Sequence, residues 1–271
     1  MKNTLAVSGS TIMSNPDQFD ELFAYGVSHI EIGEFPDLNA FQEFLALAKA
    51  HNVTFGVHSP LIRGNSKYDL VESVSMDIVQ ARKHFEEEVV YLSEHGAEYL
   101  LVHFPYFKTA DPLGHETLIN EGLQYLNSLQ MKYGLPIVCE PKLGQNQSPA
   151  GIEDLAAFDM EIWNHYHLSI CIDLGDYRMA AGDKWKAYVE PLLPFVKVVH
   201  LHNVSYIEDG YIWIPVHPQF ENKNSHFEME PMIEILGEGN PKYFVLEHTP
   251  HSNPSKSLVT EGVEWVRKLI E

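Results

Sequence analysis

Six short apolar runs in this 271-residue chain end on a residue type that binds metal ions. His58 closes the run 54–58, His103 closes 99–103 and Glu140 closes 136–140. Asp173 closes 169–173, His200 closes 197–200 and Glu247 closes 243–247. Imidazole and carboxylate together suit Zn²⁺, Mn²⁺ or a similar divalent ion. Ionised carboxylates are costly to bury unless they are paired or metal-bound. Three at one place repel each other, and a cation resolves that repulsion.

These endings matter only if the runs are strands whose ends meet. Strand patterns occur at 5–8, 29–32, 53–58, 99–103, 136–140, 168–173, 196–201 and 243–247. Amphipathic segments alternate with them at 16–25, 38–51, 70–95, 115–133, 151–165, 178–190, 228–236 and 258–270. Leu38, Phe41, Leu45 and Ala48 recur at helical spacing. Asn15-Pro16 marks a helix start, and Gly96 and Gly134 mark helix ends. Strand alternating with helix predicts a parallel α/β fold, and eight units predict a single (β/α)8 TIM barrel over residues 1–271. Carboxyl ends of all strands then converge on one mouth.

Side chains alternate along a strand. With His58 facing in, Gly56 and Thr54 also face in. Leu101, Val138, Val198 and Val245 share the phase of His103, Glu140, His200 and Glu247. The polar residue is thus the last inward position above an apolar layer. His202 shares the phase of His200, so spacing alone leaves either as a ligand. Long connections follow strands at 59–69, 104–114, 141–150 and 202–227. They carry Phe104, Tyr106, Phe107, Tyr211 and Trp213, which either stack on a sugar ring or pack the loops down. Glu34 and Asp37 read as solvated loop acids. Arg63, Lys142 and Arg178 follow strands and are candidate phosphate binders.

Composition narrows the function. The formal net charge is −20, from 38 acidic and 18 basic residues. Such a field repels phosphate backbones and disfavours nucleic acid as a partner. Cys139 and Cys171 are too few for a disulfide framework and face opposite ways along their strands. They read as reduced thiols of a cytoplasmic protein. Residues 1–10 lack an apolar signal core, and no run reaches ~18 uninterrupted apolar residues, so no membrane association is expected. No zinc-finger spacing, Walker loop, GxGxxG or GxSxG elbow occurs.

At these positions the chain resembles the xylose-isomerase-like TIM barrels, which include sugar-phosphate isomerases and epimerases and the endonuclease IV type of abasic-site nuclease. The matching stretches are Val57-His58-Ser59-Pro60, the run from Gly96 to His103, and Val138-Cys139-Glu140-Pro141. Ile172-Asp173-Leu174-Gly175-Asp176, His200-Leu201-His202-Asn203 and Leu246-Glu247-His248-Thr249-Pro250 complete the set. The resemblance implies that Glu140, Asp173, His200 and Glu247 hold one metal. It also implies that His58 and His103, with Glu140 bridging, match a second metal site in the nuclease branch. That branch builds a third site from a His three residues after the strand-six Asp and an Asp-x-His pair. Here those positions are Asp176 and Pro215-Val216-His217, so only His217 survives. Isomerases often carry His where this chain has Asp176.

Three functions follow from the resemblance. The first is a divalent-metal-dependent sugar or sugar-phosphate isomerase or epimerase. It would use one or two ions of Mn²⁺, Zn²⁺, Mg²⁺ or Co²⁺, with Glu140 and Glu247 moving a proton next to a carbonyl. His217, Asp176, Lys142, Arg63 and His202 would then contact substrate. The second is a dinuclear zinc phosphoesterase of the endonuclease IV type. The third is a barrel that binds metal or sugar without catalysis. The isomerase branch often forms homo-oligomers, so a dimer or tetramer is a further expectation.

Overall fold

A computed structural model describes residues 2–108, 113–208, 210–221 and 225–271. Among them, eight parallel strands close into a barrel. They are β1 (Thr4–Ser8), β2 (His29–Ile32), β3 (Thr54–His58), β4 (Leu100–His103), β5 (Ile137–Glu140), β6 (Ser169–Asp173), β7 (Val196–Leu201) and β10 (Tyr243–Leu246). β10 pairs with β1 and β7, so the sheet has no free edge. β8 (Asn203–Ile207) and β9 (Gly210–Ile214) form a separate antiparallel hairpin above the mouth. The hairpin lies in a connection expected to be irregular. Its alternation, Tyr211, Trp213 against Ile212, Ile214, is a strand signal within that loop.

The helices α1 (Phe19–Phe23), α2 (Leu38–His51), α3 (Ile78–Ser93) and α4 (His115–Tyr133) fill the first connections. α5 (Ala150–Ala156), α6 (Glu161–Tyr166), α7 (Leu174–Ala181), α8 (Trp185–Val189), α9 (Glu230–Gly237) and α10 (Lys256–Ile270) fill the rest. Three expected helices differ. The segment 70–95 becomes helical only at Ile78, because Asp77 caps it there, accepting from Val79 N and Gln80 N. The segment 151–165 is two short helices parted at 157–160. α7 starts at Leu174, directly after β6, because Asp173 serves as its N-cap. Asp37 likewise caps α2 by accepting from Asn39 N and Ala40 N, so it is no idle loop acid.

Two apolar layers result. Ala6, Tyr99, Leu101, Val138, Cys171, Val198 and Val245 fill the barrel interior. Cys139 faces out, in the larger core between strands and helices. The period-2 assignment of inward and outward residues therefore holds. Phe104 and Phe107 are fully buried in that outer core and do not face a ligand. Gly56 makes room at the axis, since a Cβ there would clash with the Tyr99 ring at Cζ. No helix among the described residues is long and apolar enough to cross a membrane.

Glu88 is a polar exception on the inner face of α3. Its Oε1 accepts from Leu61 N at 2.8 Å and its Oε2 from Ser59 Oγ at 3.1 Å. It thereby ties the loop after β3 to the helix layer. Burial pushes its carboxyl up to about 7 from 4.5. Between those values the folded state keeps a proton that the unfolded chain has lost, so this group's contribution to stability falls as pH rises through the window. Glu88→Gln preserves both contacts after an amide flip. It should flatten that fall, which urea midpoints for both proteins at about pH 5 and about pH 7.5 would measure. Gly56→Ala should lower stability by about 1–3 kcal/mol through overpacking against Tyr99, read from thermal denaturation.

Candidate metal centre and active site

Strand register places the ligand-type residues side by side. His103 is paired with Glu140 across β4 and β5, and Asp173 with His200 across β6 and β7. Glu247 follows β10 directly, its N–H donating to Leu201 O at 3.0 Å. One ligand atom each of Glu140, Asp173, His200 and Glu247 can be chosen so that all lie within 4.8 Å of one another. A second group, His58, His103 and Glu140, meets the same limit. There the Nε2 atoms of His58 and His103 lie 3.4 and 3.2 Å from Glu140 Oε2. All six strand-end residues are brought together, and Glu140 belongs to both groups.

The donor set fits a cation on the protein's own terms. Glu140 Oε2, His200 Nδ1 and Glu247 Oε2 are buried and make no hydrogen bond. His200 Nδ1 sits 3.1 Å from Glu247 Oε2 and 3.3 Å from Glu140 Oε1, close enough for ion pairing but without hydrogen-bond geometry. Orphaned buried polar atoms are costly, and here they converge. Glu140, Asp173, His200 and Glu247 would hold one divalent ion, and His58 and His103 would add a second through Glu140.

Spacing left His200 and His202 open, and tertiary contacts separate them. His200 presents Nδ1 to the carboxylate cluster. His202 Nε2 instead lies 2.9 Å from Asp173 Oδ1 and 3.1 Å from Oδ2, so it braces a ligand. Gly175 permits this, because a Cβ there would clash with the His202 ring at Cε1. Trp213 of the hairpin stacks on the other side of His202, with ring centroids 4.6 Å apart.

Lys142 is the buried cation of the site. Its Nζ lies 3.0 Å from Glu140 Oε1, 3.3 Å from Asp173 Oδ2 and 2.5 Å from Asp176 Oδ2. It also sits over the Trp213 ring. Burial opposes its charge, yet Asp176, Glu140 and Asp173 raise its pKa well above the ordinary lysine value. Burial likewise works against the Glu140 carboxylate, but Lys142, His200 and His103 hold it well below the usual range. Asp176 goes the other way: burial and the charge of Asp173 push it up to about 6, against the pull of Lys142. Burial drives His103 well below its ordinary value, which keeps its imidazole neutral and free to act as a ligand.

The cleft above these groups has a volume of about 410 Å³. Its walls include Tyr68, Tyr211, Trp213, Ser8, Ser10 and Thr249, and Arg63, Lys67 and Glu34 line it as well. Tyr68 stacks on His103 with ring centroids 5.0 Å apart, and Tyr106 stacks behind Tyr68. A hollow of similar volume, about 390 Å³, opens at the amino ends of β6 and β7. Its lining has no carboxylate, so of these two hollows the carboxyl-end cleft has the ligand chemistry.

Some expected contacts do not form. His217 caps the turn Pro218–Phe220, accepting from Gln219 N at 3.0 Å, and its Nε2 lies 3.4 Å from Glu261 of α10. It is not among the residues lining the cleft. Arg178 faces Asp183 and the Phe227 ring and does not line the cleft either. Arg63 does line it, donating from Nη2 to Met13 O at 3.1 Å. Glu34 stays partly exposed, as a loop acid would, but pairs with Lys67 at 2.5 Å on the cleft wall.

Two groups were not anticipated. Lys67 follows β3 within the connection 59–69, where only a cation facing the mouth distinguishes it. Glu31 sits inside an apolar strand as His-Ile-Glu-Ile, one residue before the end. A carboxylate on the inward phase of a buried strand was the available signal. Glu31 is fully buried, its Oε1 is 2.8 Å from His200 Nε2, and its Oε2 accepts from Tyr99 OH at 2.8 Å.

No curated protein matches the chain. Solved structures do. The 3-keto-D-glucoside 4-epimerase from E. coli superposes with a TM-score of 0.66 at 13% identity, over 98% of this chain and 100% of that one. A D-tagatose 3-epimerase-like protein gives 0.67 at 17%, over 99% and 100%. Endonuclease IV from Thermus thermophilus gives 0.62 at 14%, over 98% of each. At these identities the likeness is one of fold. A family model described as xylose isomerase-like TIM barrel matches residues 19–269. The chain therefore belongs to the xylose isomerase-like TIM barrel family.

Proposed function

We propose that this protein is a divalent-metal-dependent isomerase or epimerase of a small keto-sugar or sugar derivative. The observation that carries the reading is the meeting of Glu140 and Glu247 in one ligand cluster beneath a small aromatic-walled cleft. A divalent ion bound there would polarise a substrate carbonyl and hold a neighbouring hydroxyl.

The chain's own residues supply the rest. One of the two carboxylates removes the proton from the carbon beside the carbonyl. The other, in its acid form, returns a proton to that carbon from the opposite face, which inverts it. Delivery to the adjacent carbon, with the hydroxyl proton passing to the former carbonyl oxygen, gives aldose–ketose isomerisation instead. Lys142, held by Glu140, Asp173 and Asp176, sets a fixed positive charge beside the oxygen on which negative charge develops. Tyr68, Tyr211 and Trp213 wall the cleft and exclude water from the apolar parts of the sugar. Arg63 and Lys67 face the outer part of the substrate. The net charge of −20 and the cleft's small volume support a small molecule over a nucleic-acid duplex.

One observation favours a second reading. His58, His103 and Glu140 converge as closely as the first cluster does. Two divalent ions held by these residues and by Asp173, His200 and Glu247 would supply Lewis-acid chemistry suited to hydrolysis of a small phosphoester.

Two experiments separate the readings. Incubated in D₂O with added Mn²⁺ or Co²⁺ and a panel of keto-sugars, the protein should place deuterium on the carbon beside the carbonyl, seen by proton NMR. Glu140→Gln and Glu247→Gln should each slow that exchange by about 10²–10⁴-fold. Exchange unaffected by either substitution would sink the two-carboxylate mechanism. Elemental mass spectrometry of wild type and His103→Ala counts the ions. One ion per chain, unchanged by the substitution, is expected of the isomerase. Two zinc ions falling to one would favour the hydrolase.

A further inference from the structure

His200 is the one imidazole in the four-residue ligand group, and its far side is not left to solvent. Nε2 lies 2.8 Å from Glu31 Oε1. The other Glu31 oxygen accepts from Tyr99 OH at 2.8 Å. Tyr99 OH in turn lies 3.3 Å from His29 Nε2, and His29 Nδ1 lies 2.8 Å from Thr54 Oγ1. His200, Glu31 and Tyr99 are all fully buried. The chain of contacts runs down the barrel axis from mouth to base. Gly56 leaves the space that the Tyr99 ring fills.

We propose that Glu31, itself held by Tyr99, is a positioning residue that fixes the ring orientation and tautomer of His200 for metal binding. The proposal rests on the metal-centre reading above. A carboxylate only accepts hydrogen bonds, so Oε1 requires the hydrogen of His200 on Nε2. Nδ1 is then the nitrogen that faces the carboxylate cluster and offers its lone pair when a metal ion takes the place of its proton. Without Glu31 the imidazole is free to turn or to place its hydrogen on Nδ1, and either change removes it as a ligand. An acceptor behind a metal-binding histidine also raises its basicity as a donor. No atom of Glu31 needs to touch the ion or the substrate.

The test is the metal affinity of the purified full-length chain. Each protein is stripped with chelator, and Mn²⁺ or Zn²⁺ binding is measured by competition with a fluorescent chelator. The unfolding midpoint of each metal-free protein is recorded beside it. Glu31→Ala should weaken binding by about 10–100-fold. Glu31→Gln should recover most of that loss, because its amide oxygen still accepts from Nε2 while its NH₂ faces Tyr99 OH. Tyr99→Phe keeps the ring and removes only the hydroxyl, so it should weaken binding by about fivefold. If Glu31→Ala does not fold, the Gln and Phe variants carry the test. Wild-type affinity in folded Glu31→Ala and in Tyr99→Phe would overturn the proposal and leave the metal centre standing. Lower unfolding midpoints with unchanged affinity would overturn it too, since that is a purely structural role. A wild-type protein that takes up neither ion would overturn the proposal and the metal-centre reading together.

Discussion

Repulsion among buried carboxylates is the constraint on which this structure turns. Glu31, Glu140, Asp173 and Asp176 are almost wholly buried at one end of the barrel, and Glu247 is nearly so. Removing so many anions from water is expensive unless each finds a counter-charge. Lys142 reaches three of them, His200 lies against Glu31, Glu140 and Glu247, and His202 braces Asp173. Burial and the charge of Asp173 push Asp176 up to about 6, the cost of crowding these anions. A cation would complete the compensation that the side chains leave unfinished at the unpartnered oxygens of Glu140 and Glu247.

The fold meets this constraint by layering. Below the polar ring, Leu101, Val138, Cys171, Val198 and Val245 form a dry floor. Above it, the β8–β9 hairpin brings Trp213 over both His202 and Lys142. The loop after β3 closes another side, ordered by Asp69, which accepts from the backbone of Val74, Ser75 and Met76. Low dielectric on both sides makes each charge interaction in the ring stronger than it would be in water. Electrostatics and packing are therefore one design here. The aromatic walls that would hold a sugar also sharpen the field of the residues that would act on it.

Fold and ligand ring were legible because both depend on local periodicity. Alternation of side chains on a strand told which residues face the axis. The polar ending of each run then marked the mouth. The same rule missed Glu31, because the run 29–32 ends on Ile32 and its carboxylate stands one place earlier. For Phe104 and Phe107 the sequence left stacking and packing both open, and burial in the outer core decides for packing. Asp173 was legible as a ligand type, whereas its second duty as the N-cap of α7 appeared only with the helix in place.

By itself the sequence determined eight alternating strand and helix patterns, the inward phase of each strand and the chemical type of residue at each strand end. These follow from bonding geometry along a few consecutive residues. Only the tertiary structure decided that His200 faces the carboxylate cluster while His202 braces Asp173, two residues of identical phase and type. It alone turned Lys142 inward onto three carboxylates, sent His217 out to Glu261 and set Glu31 behind His200. Each of those outcomes depends on partners contributed by other strands, helices or loops. Which partner a long side chain meets is settled by barrel closure and by the balance of buried charge, and neither is written in any local stretch of the chain.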